Sequence, residues 1–329
     1  MNKLTKVGLS ALCGSLASVA AAQAGSMNVS GSATATYTSN QGDTTGNPIG
    51  LNSAVTFTGS GELDNGTTFT VTLTGADQAA YTSGSIVMST AGGHGFSISQ
   101  ATGGNGIGGY DDKMPTAWEE SWGHGMASGF DFQKGVSSAM NIGWTSPSFM
   151  GTTLKLAVAP GGNKAAFSND KSVGGANNEK QGGYDALIEI KPSFGVDALS
   201  GWTVWAGGSE TEQAIKNAGK SGNDHQEVNA GTTFAYGPVT VGFQKMGEFT
   251  GSETAGATEY YKNQAFGVSF NVSDNLSISY GEFESVRKMI GSGTTIKSVT
   301  AETQSFQIAY TMGGMSLKLA ESEVTNASY

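Results

Sequence analysis

The chain has 329 residues, with 50 Gly, 6 Pro, 1 Cys, 13% charged residues and a formal net charge of −10. Glycine at this density, together with abundant Ser and Thr, weakens helices throughout and argues against a helical protein, while 15 Phe, 10 Tyr and 5 Trp argue against disorder. The acidic balance argues against nucleic acid as a partner.

Residues 1–24 predict a cleavable secretory signal. Lys3 and Lys6 supply a short positive region, Val7 to Ala22 a small-residue apolar stretch, and Ala22-Gln23-Ala24 an A-x-A cleavage site before Gly25. Cys13 falls in the removed part, and Leu12 stands where a lipoprotein signal needs a small residue. The mature chain therefore has no cysteine, and losing the two lysines leaves 15 basic against 27 acidic residues, a net charge of −12. After Gly25 no stretch of about 18 consecutive apolar residues appears, which excludes a membrane-spanning helix. A closed β-barrel is not excluded, because its signature is a series of roughly ten-residue alternating segments.

Alternation is what residues 25–329 show, and they read as one all-β unit. Met27, Val29, Gly31, Ala33, Ala35 and Tyr37 interleave with Asn28, Ser30, Ser32, Thr34 and Thr36, so that one face is apolar and the other hydroxyl and amide. The period of two returns in Val55, Phe57 and Leu63, then in Phe69, Val71 and Leu73, with the hairpin signal Asp64-Asn65-Gly66 between them. It continues through Met140, Ile142, Trp144; Leu154, Leu156, Val158; Phe266, Val268, Phe270, Val272; Leu276, Ile278, Tyr280; Phe306, Ile308, Tyr310, Met312; and Met315, Leu317, Leu319. Strands are expected at about 27–38, 51–63, 67–75, 84–90, 95–102, 138–145, 152–159, 183–191, 200–208, 226–236, 239–247, 262–272, 276–284, 301–312 and 315–321. Long connections, including 76–83, 103–137 and 285–300, alternate with short ones, the asymmetry of a transmembrane antiparallel up-and-down barrel with tight turns at one end and long loops at the other. Fifteen strands are odd, whereas bacterial barrels close on an even number. A sixteenth is therefore expected, with Ala320 to Tyr329 reading as the opening of another loop and the chain as truncated at its C-terminus.

The signal ending Ala22-Gln23-Ala24, the first strand Met27-Asn28-Val29-Ser30-Gly31-Ser32-Ala33, the hairpin Leu63-Asp64-Asn65-Gly66-Thr67 and a third long loop exceeding all others resemble the general porins of Gram-negative outer membranes, most like those of alphaproteobacteria. The resemblance covers residues 25–321 and implies a sixteen-stranded barrel, usually a homotrimer in outer-membrane lipid. It also implies a third loop folded inward to narrow a water-filled channel for passive diffusion of ions and small hydrophilic solutes. One departure is that the residues before Tyr329 lack the apolar alternation with which such porins end.

Residues 103–137 open with Gly103, Gly104, Gly106, Gly108 and Gly109, able to bend back into a lumen. Met114 to Trp122, with Pro115 near its start, predicts one or two helical turns. Asp111, Asp112, Glu119, Glu120 and Asp131 are the candidate acidic constriction, set against wall lysines across the opening. Parity places those lysines. With Leu154, Leu156 and Val158 facing lipid, Lys155 faces the lumen, and Lys191 and Lys318 follow, near Glu189 and Asp185 in parity terms. The only arginine, Arg287, is expected in an external loop with Lys288, so no arginine cluster opposes the acidic loop. A weak cation preference is the expectation. Tyr37, Trp144, Trp202, Tyr236, Tyr260, Tyr261 and Tyr280 fit aromatic girdles near the strand ends.

Enzyme chemistry is not legible. His94, His124 and His225 stand apart, with no second His or Cys at metal spacing. Asp111-Asp112 could take Ca2+, without EF-hand spacing. The Gly103 to Gly109 run lacks the Lys-Ser/Thr ending of a phosphate loop, and no nucleophile elbow occurs. No cofactor is expected. A secreted or surface-attached β-rich adhesin shares the composition and is the alternative, without an explanation for the alternating loop lengths.

Overall fold

The computed structural model describes residues 26–37, 49–77, 79–100, 102, 104–123, 130, 132–137, 139–160, 180–192, 199–213, 223–291 and 298–327. The signal segment, Cys13, Gly103, His124 and Asp131 lie outside the described residues.

Among the described residues, fifteen strands form one sheet in chain order. They are β1 (Ser26–Tyr37), β2 (Ile49–Glu62), β3 (Thr68–Ala76), β4 (Ala79–Ser89), β5 (Gly95–Gln100), β6 (Asn141–Thr145), β7 (Thr152–Ala159) and β8 (Lys180–Ile190). The series continues with β9 (Trp202–Gln213), β10 (His225–Tyr236), β11 (Val239–Phe249), β12 (Thr258–Ser273), β13 (Leu276–Met289), β14 (Ser298–Met312) and β15 (Met315–Thr325). Every neighbouring pair is antiparallel and consecutive, from β1 with β2 to β14 with β15. This is the up-and-down all-β architecture that the alternation predicts.

The two faces differ as the sequence period requires. On β7, Leu154, Leu156 and Val158 are 38%, 36% and 50% exposed, whereas Ala157 between them is 1% exposed. Ile188, Val228, Phe243, Phe266 and Phe306 continue the outward apolar band. The other face carries Asp185, Asn229, Gln244, Asn263, Ser279, Ser305 and Gln307, all buried. A polar wall can be buried only if something lies across it. The turn between β2 and β3 shows the local chemistry at the short end: Gly66 adopts φ +77°, Leu63 N donates to Thr67 O at 2.8 Å, and Thr67 N donates to Asn65 Oδ1 at 3.0 Å. That φ is one an L side chain rarely adopts, which is why glycine ends this Asp-Asn-Gly turn.

Several expected boundaries are corrected. β4 starts at Ala79, paired with Ala76 across a register shift, so the connection expected at 76–83 shrinks to two residues and the strands lengthen. β6 starts at Asn141 because Ser137 N and Ala139 N donate to Lys134 O and Val136 O in turns. β13 runs on to Met289, which places Arg287 and Lys288 on a strand, opposite Tyr261 and Tyr260, rather than in an external loop. Arg287 Nε donates to Thr258 Oγ1 at 2.8 Å and Lys288 pairs with Glu259 at 2.8 Å. Ala320 to Thr325, expected as loop, complete the ladder against Glu302 to Gln307. In both places the ladder is held by backbone hydrogen bonds, which apolar periodicity does not register. Tyr261 departs from the girdle expectation for a simple reason. It is two residues from the buried Asn263 and adjacent to Tyr260, so it shares the inner face.

Candidate functional site

The group that covers the polar face is the connection between β5 and β6. A 3-10 turn occupies Gly106–Tyr110, and Asp111 to Gly123 follow without helix. The helix expected from Met114 to Trp122 does not form because its backbone donors are taken by the wall. Ala117 N donates to Ser279 Oγ at 2.8 Å, and Trp118 N and Glu119 N donate to Gln307 Oε1 at 3.1 and 2.9 Å. Gln307 Nε2 returns a bond to Glu120 O at 3.0 Å. A side-chain amide thus replaces the i−4 carbonyls that a helix would use.

The wall is shaped to receive this backbone. Gly242, Gly267, Gly281, Ser305 and Ser322 are direct cross-strand partners on β11 to β15, a row of the smallest side chains along the inner face. A Cβ on Gly281 would lie 2.8 Å from both Cα and O of Ser121, and one on Gly267 would lie 2.9 Å from Met114 Cβ. Only glycine leaves room for main chain at that distance.

Three polar anchors hold the start and the return of the segment. Asp185 of β8 accepts Ile107 N at 3.2 Å and Val136 N at 3.1 Å, gripping both limbs. Asn229 Nδ2 and Gln244 Nε2 both donate to Tyr110 O, at 2.6 and 2.5 Å. Glu227 of β10 accepts Gly135 N at 2.5 Å and Lys134 N at 3.4 Å. An apolar anchor sits further along. The inward Phe283 of β13 is 1% exposed, and its ring lies 5.5, 4.8 and 5.3 Å from those of Trp122, Phe130 and Phe132.

The residues expected at the site fall as follows. Lys155 Nζ donates to Tyr110 Oη at 2.6 Å, and Tyr110 Oη donates to Glu189 Oε2 at 2.5 Å. Burial, with Glu189 alongside, holds the Tyr110 hydroxyl protonated far above its ordinary range. Lys191 pairs with Glu189 at 3.1 Å, and Lys318 Nζ lies 5.7 Å over the Trp118 ring. Asp112 turns into its own segment, accepting Met114 N at 2.9 Å and Ser121 N at 3.1 Å. Desolvation outweighs those bonds and pushes its carboxyl up to about 6. Burial also raises Asp111, against the pull of the Asp112 amide, Lys134 and Lys113. Glu119 is half-buried and Glu120 is exposed.

Some site residues carry little signal in the sequence. Gln244, Asn229, Gln307 and Glu227 hold the segment, and only inward parity marks them. His225, Glu227 and Glu248 also come together, and the His225-x-Glu227 spacing on one strand face is the sole sequence clue to it.

Comparison with known proteins agrees with the architecture. The Gram-negative porin family matches residues 8–319. Among solved structures, OmpT of Vibrio cholerae in its trimer form superposes with a TM-score of 0.61 at 8% identity, covering 92% of this chain and 89% of that one. An anion-selective porin from Comamonas acidovorans gives 0.61 at 12% identity, over 92% and 90%. OmpF of Salmonella typhi, in complex with daunomycin, gives 0.64 at 11% identity, over 90% and 89%. A search of curated protein sequences finds no match. Nothing in the fold or in these comparisons supports the adhesin alternative. The chain belongs to the Gram-negative porin family, non-enzymatic channel proteins of the outer membrane built as antiparallel β-barrels.

Proposed function

We propose that the chain passes ions and small hydrophilic solutes by passive diffusion, that the long connection 103–137 narrows its aqueous path, and that this path prefers cations weakly. The observation that carries the reading is the docking of the segment across the inner wall, from Ile107 on Asp185 to Glu119 on Gln307. Selectivity follows from charge. The chain holds 27 acidic against 17 basic residues, Glu120 stands exposed on the segment, and Lys155 and Lys191 are engaged with Tyr110 and Glu189. The Comamonas porin shares the fold at an identity too low for its anion selectivity to carry over.

Reversal potentials across a planar bilayer in a salt gradient test this. Cation preference is expected at pH 7.5, and an anion-selective sign would remove the proposal. The preference is expected to fall toward pH 5. Asp112 has its carboxyl raised from 3.8 to about 6, so the docked segment binds this proton more tightly than the undocked one. That contribution to docking is fully present below 3.8 and is lost as pH rises through about 6. Asp112→Asn should flatten the change between pH 5 and 7.5, and an undiminished step in that variant would reassign it to another group.

The same proposal extends to a homotrimer, in the manner of the Vibrio cholerae OmpT trimer form. Sedimentation in mild detergent should give a mass near three chains. A single-chain mass at micromolar concentration would contradict it.

A further inference from the structure

We propose that His225, Glu227 and Glu248 form a binding site for a divalent transition-metal ion of the zinc class at the long-loop end of β10 and β11. Glu227 and Glu248 are direct cross-strand partners, and both are buried, at 7% and 6% exposed. Like charges directly opposite one another destabilise a sheet, and burial without compensation raises the cost further. His225 sits two residues before Glu227 on the same face, with Nε2 3.1 Å from Glu248 Oε1 and 3.5 Å from Glu227 Oε1. The second oxygen of Glu248, whose side chain is 5% exposed, is buried and has no hydrogen-bond partner among the described residues.

Charge and geometry select the ligand. An imidazolium between two carboxylates leaves the cluster at a net charge of −1, whereas a divalent ion with neutral imidazole brings it to zero. Ligand atoms held about 2.0–2.1 Å from a tetrahedral ion lie about 3.3 Å apart along each edge. The two observed separations bracket that value, and one ligand atom from each of the three residues falls within 4.8 Å of the others. An imidazole with two carboxylates suits zinc, whereas calcium takes oxygen ligands only.

The site has a structural consequence through Glu227. The same carboxylate accepts Gly135 N and Lys134 N, so an ion held there fixes the acceptor that ties the returning limb to the wall. This inference stands apart from ion selectivity and from any narrowing of the pore.

The test uses the untagged, detergent-refolded chain, stripped with chelator and titrated with zinc chloride by calorimetry. One saturable site per chain is expected, weakened about tenfold or more in His225→Ala and in Glu248→Gln. Heat-modifiable gel migration identifies the variants that remain folded. Cobalt(II) added to the wild type gives a readout that needs no variant, the intense visible absorption of a tetrahedral site. Zinc should also slow hydrogen exchange at the Gly135 amide. Folded wild type without a saturable zinc site, cobalt spectra of the weak octahedral kind, or folded variants binding zinc like wild type would each overturn the proposal.

Discussion

Replacing Asp185 with alanine is expected to detach both limbs of the inward segment at once and to raise single-channel conductance. The carboxylate accepts Ile107 N through one oxygen and Val136 N through both, and it is 1% exposed. Hydrogen bonds to a charged partner contribute about 1.5–3 kcal/mol each, and a buried amide left unpaired costs about 1–3 kcal/mol. Two anchors lost together therefore amount to several kcal/mol. The packing around Asp185 is specific to it. Gly106 and Gly135, at φ +58° and +54°, turn the two limbs so closely over the carboxylate that a Cβ on either would collide with it. Asp185→Asn keeps an acceptor oxygen without the charge and should fall between wild type and alanine. Hydrogen exchange at Ile107 and Val136 reports the release directly. A folded alanine variant with wild-type conductance and slow exchange at those amides would show that the segment is held by other contacts.

Phe283→Ala carries the second large effect. Deleting a large buried aromatic costs about 3–5 kcal/mol where the site cannot collapse, and here three rings lose their common neighbour. Trp122 stacks on Phe132 with centroids 4.1 Å apart, and both rest on Phe283. The expected result is a red-shifted Trp122 emission, isolated by comparison with Trp122→Phe, together with noisier channel currents. Phe283→Leu should retain much of the wild-type signal, since it keeps apolar volume. Emission from Trp122 that stays unchanged in the alanine variant would place the ring cluster's stability elsewhere. An inward phenylalanine, on a wall that also carries buried polar groups such as Asn263 and Ser279, has a clear physical reason. It is covered by the segment and so is not exposed to lumen water.

Much of the sheet is legible in the amino-acid sequence. Alternation such as Leu154, Lys155, Leu156 requires a strand with one apolar face, because a charge on the lipid side is costly near the midplane. It therefore assigns Lys155 to the inner face, where its ammonium meets Tyr110. Asp64-Asn65-Gly66 announces its turn through the glycine's positive φ. What escapes lies where side-chain pattern and backbone pairing separate. Arg287, Lys288 and the acidic run of Glu321 and Glu323 look like loop residues. They continue strands because their neighbours' ladders do.

The site is legible in outline only. Its acidic residues stand out by composition, yet Asp112 spends both oxygens on Met114 and Ser121. The helix expected over Met114 to Trp122 loses to wall acceptors more than a hundred positions distant in sequence. His225, Glu227 and Glu248 converge only when β10 pairs with β11 in one particular register. By itself, the sequence determined the all-β class, the fifteen strands of the described residues, the two-faced pattern and the long third connection, since period and turn chemistry are local properties. Tertiary structure alone decided where that connection lies, because its place depends on small residues from five strands falling into a single cross-strand row, and register is set by the whole sheet.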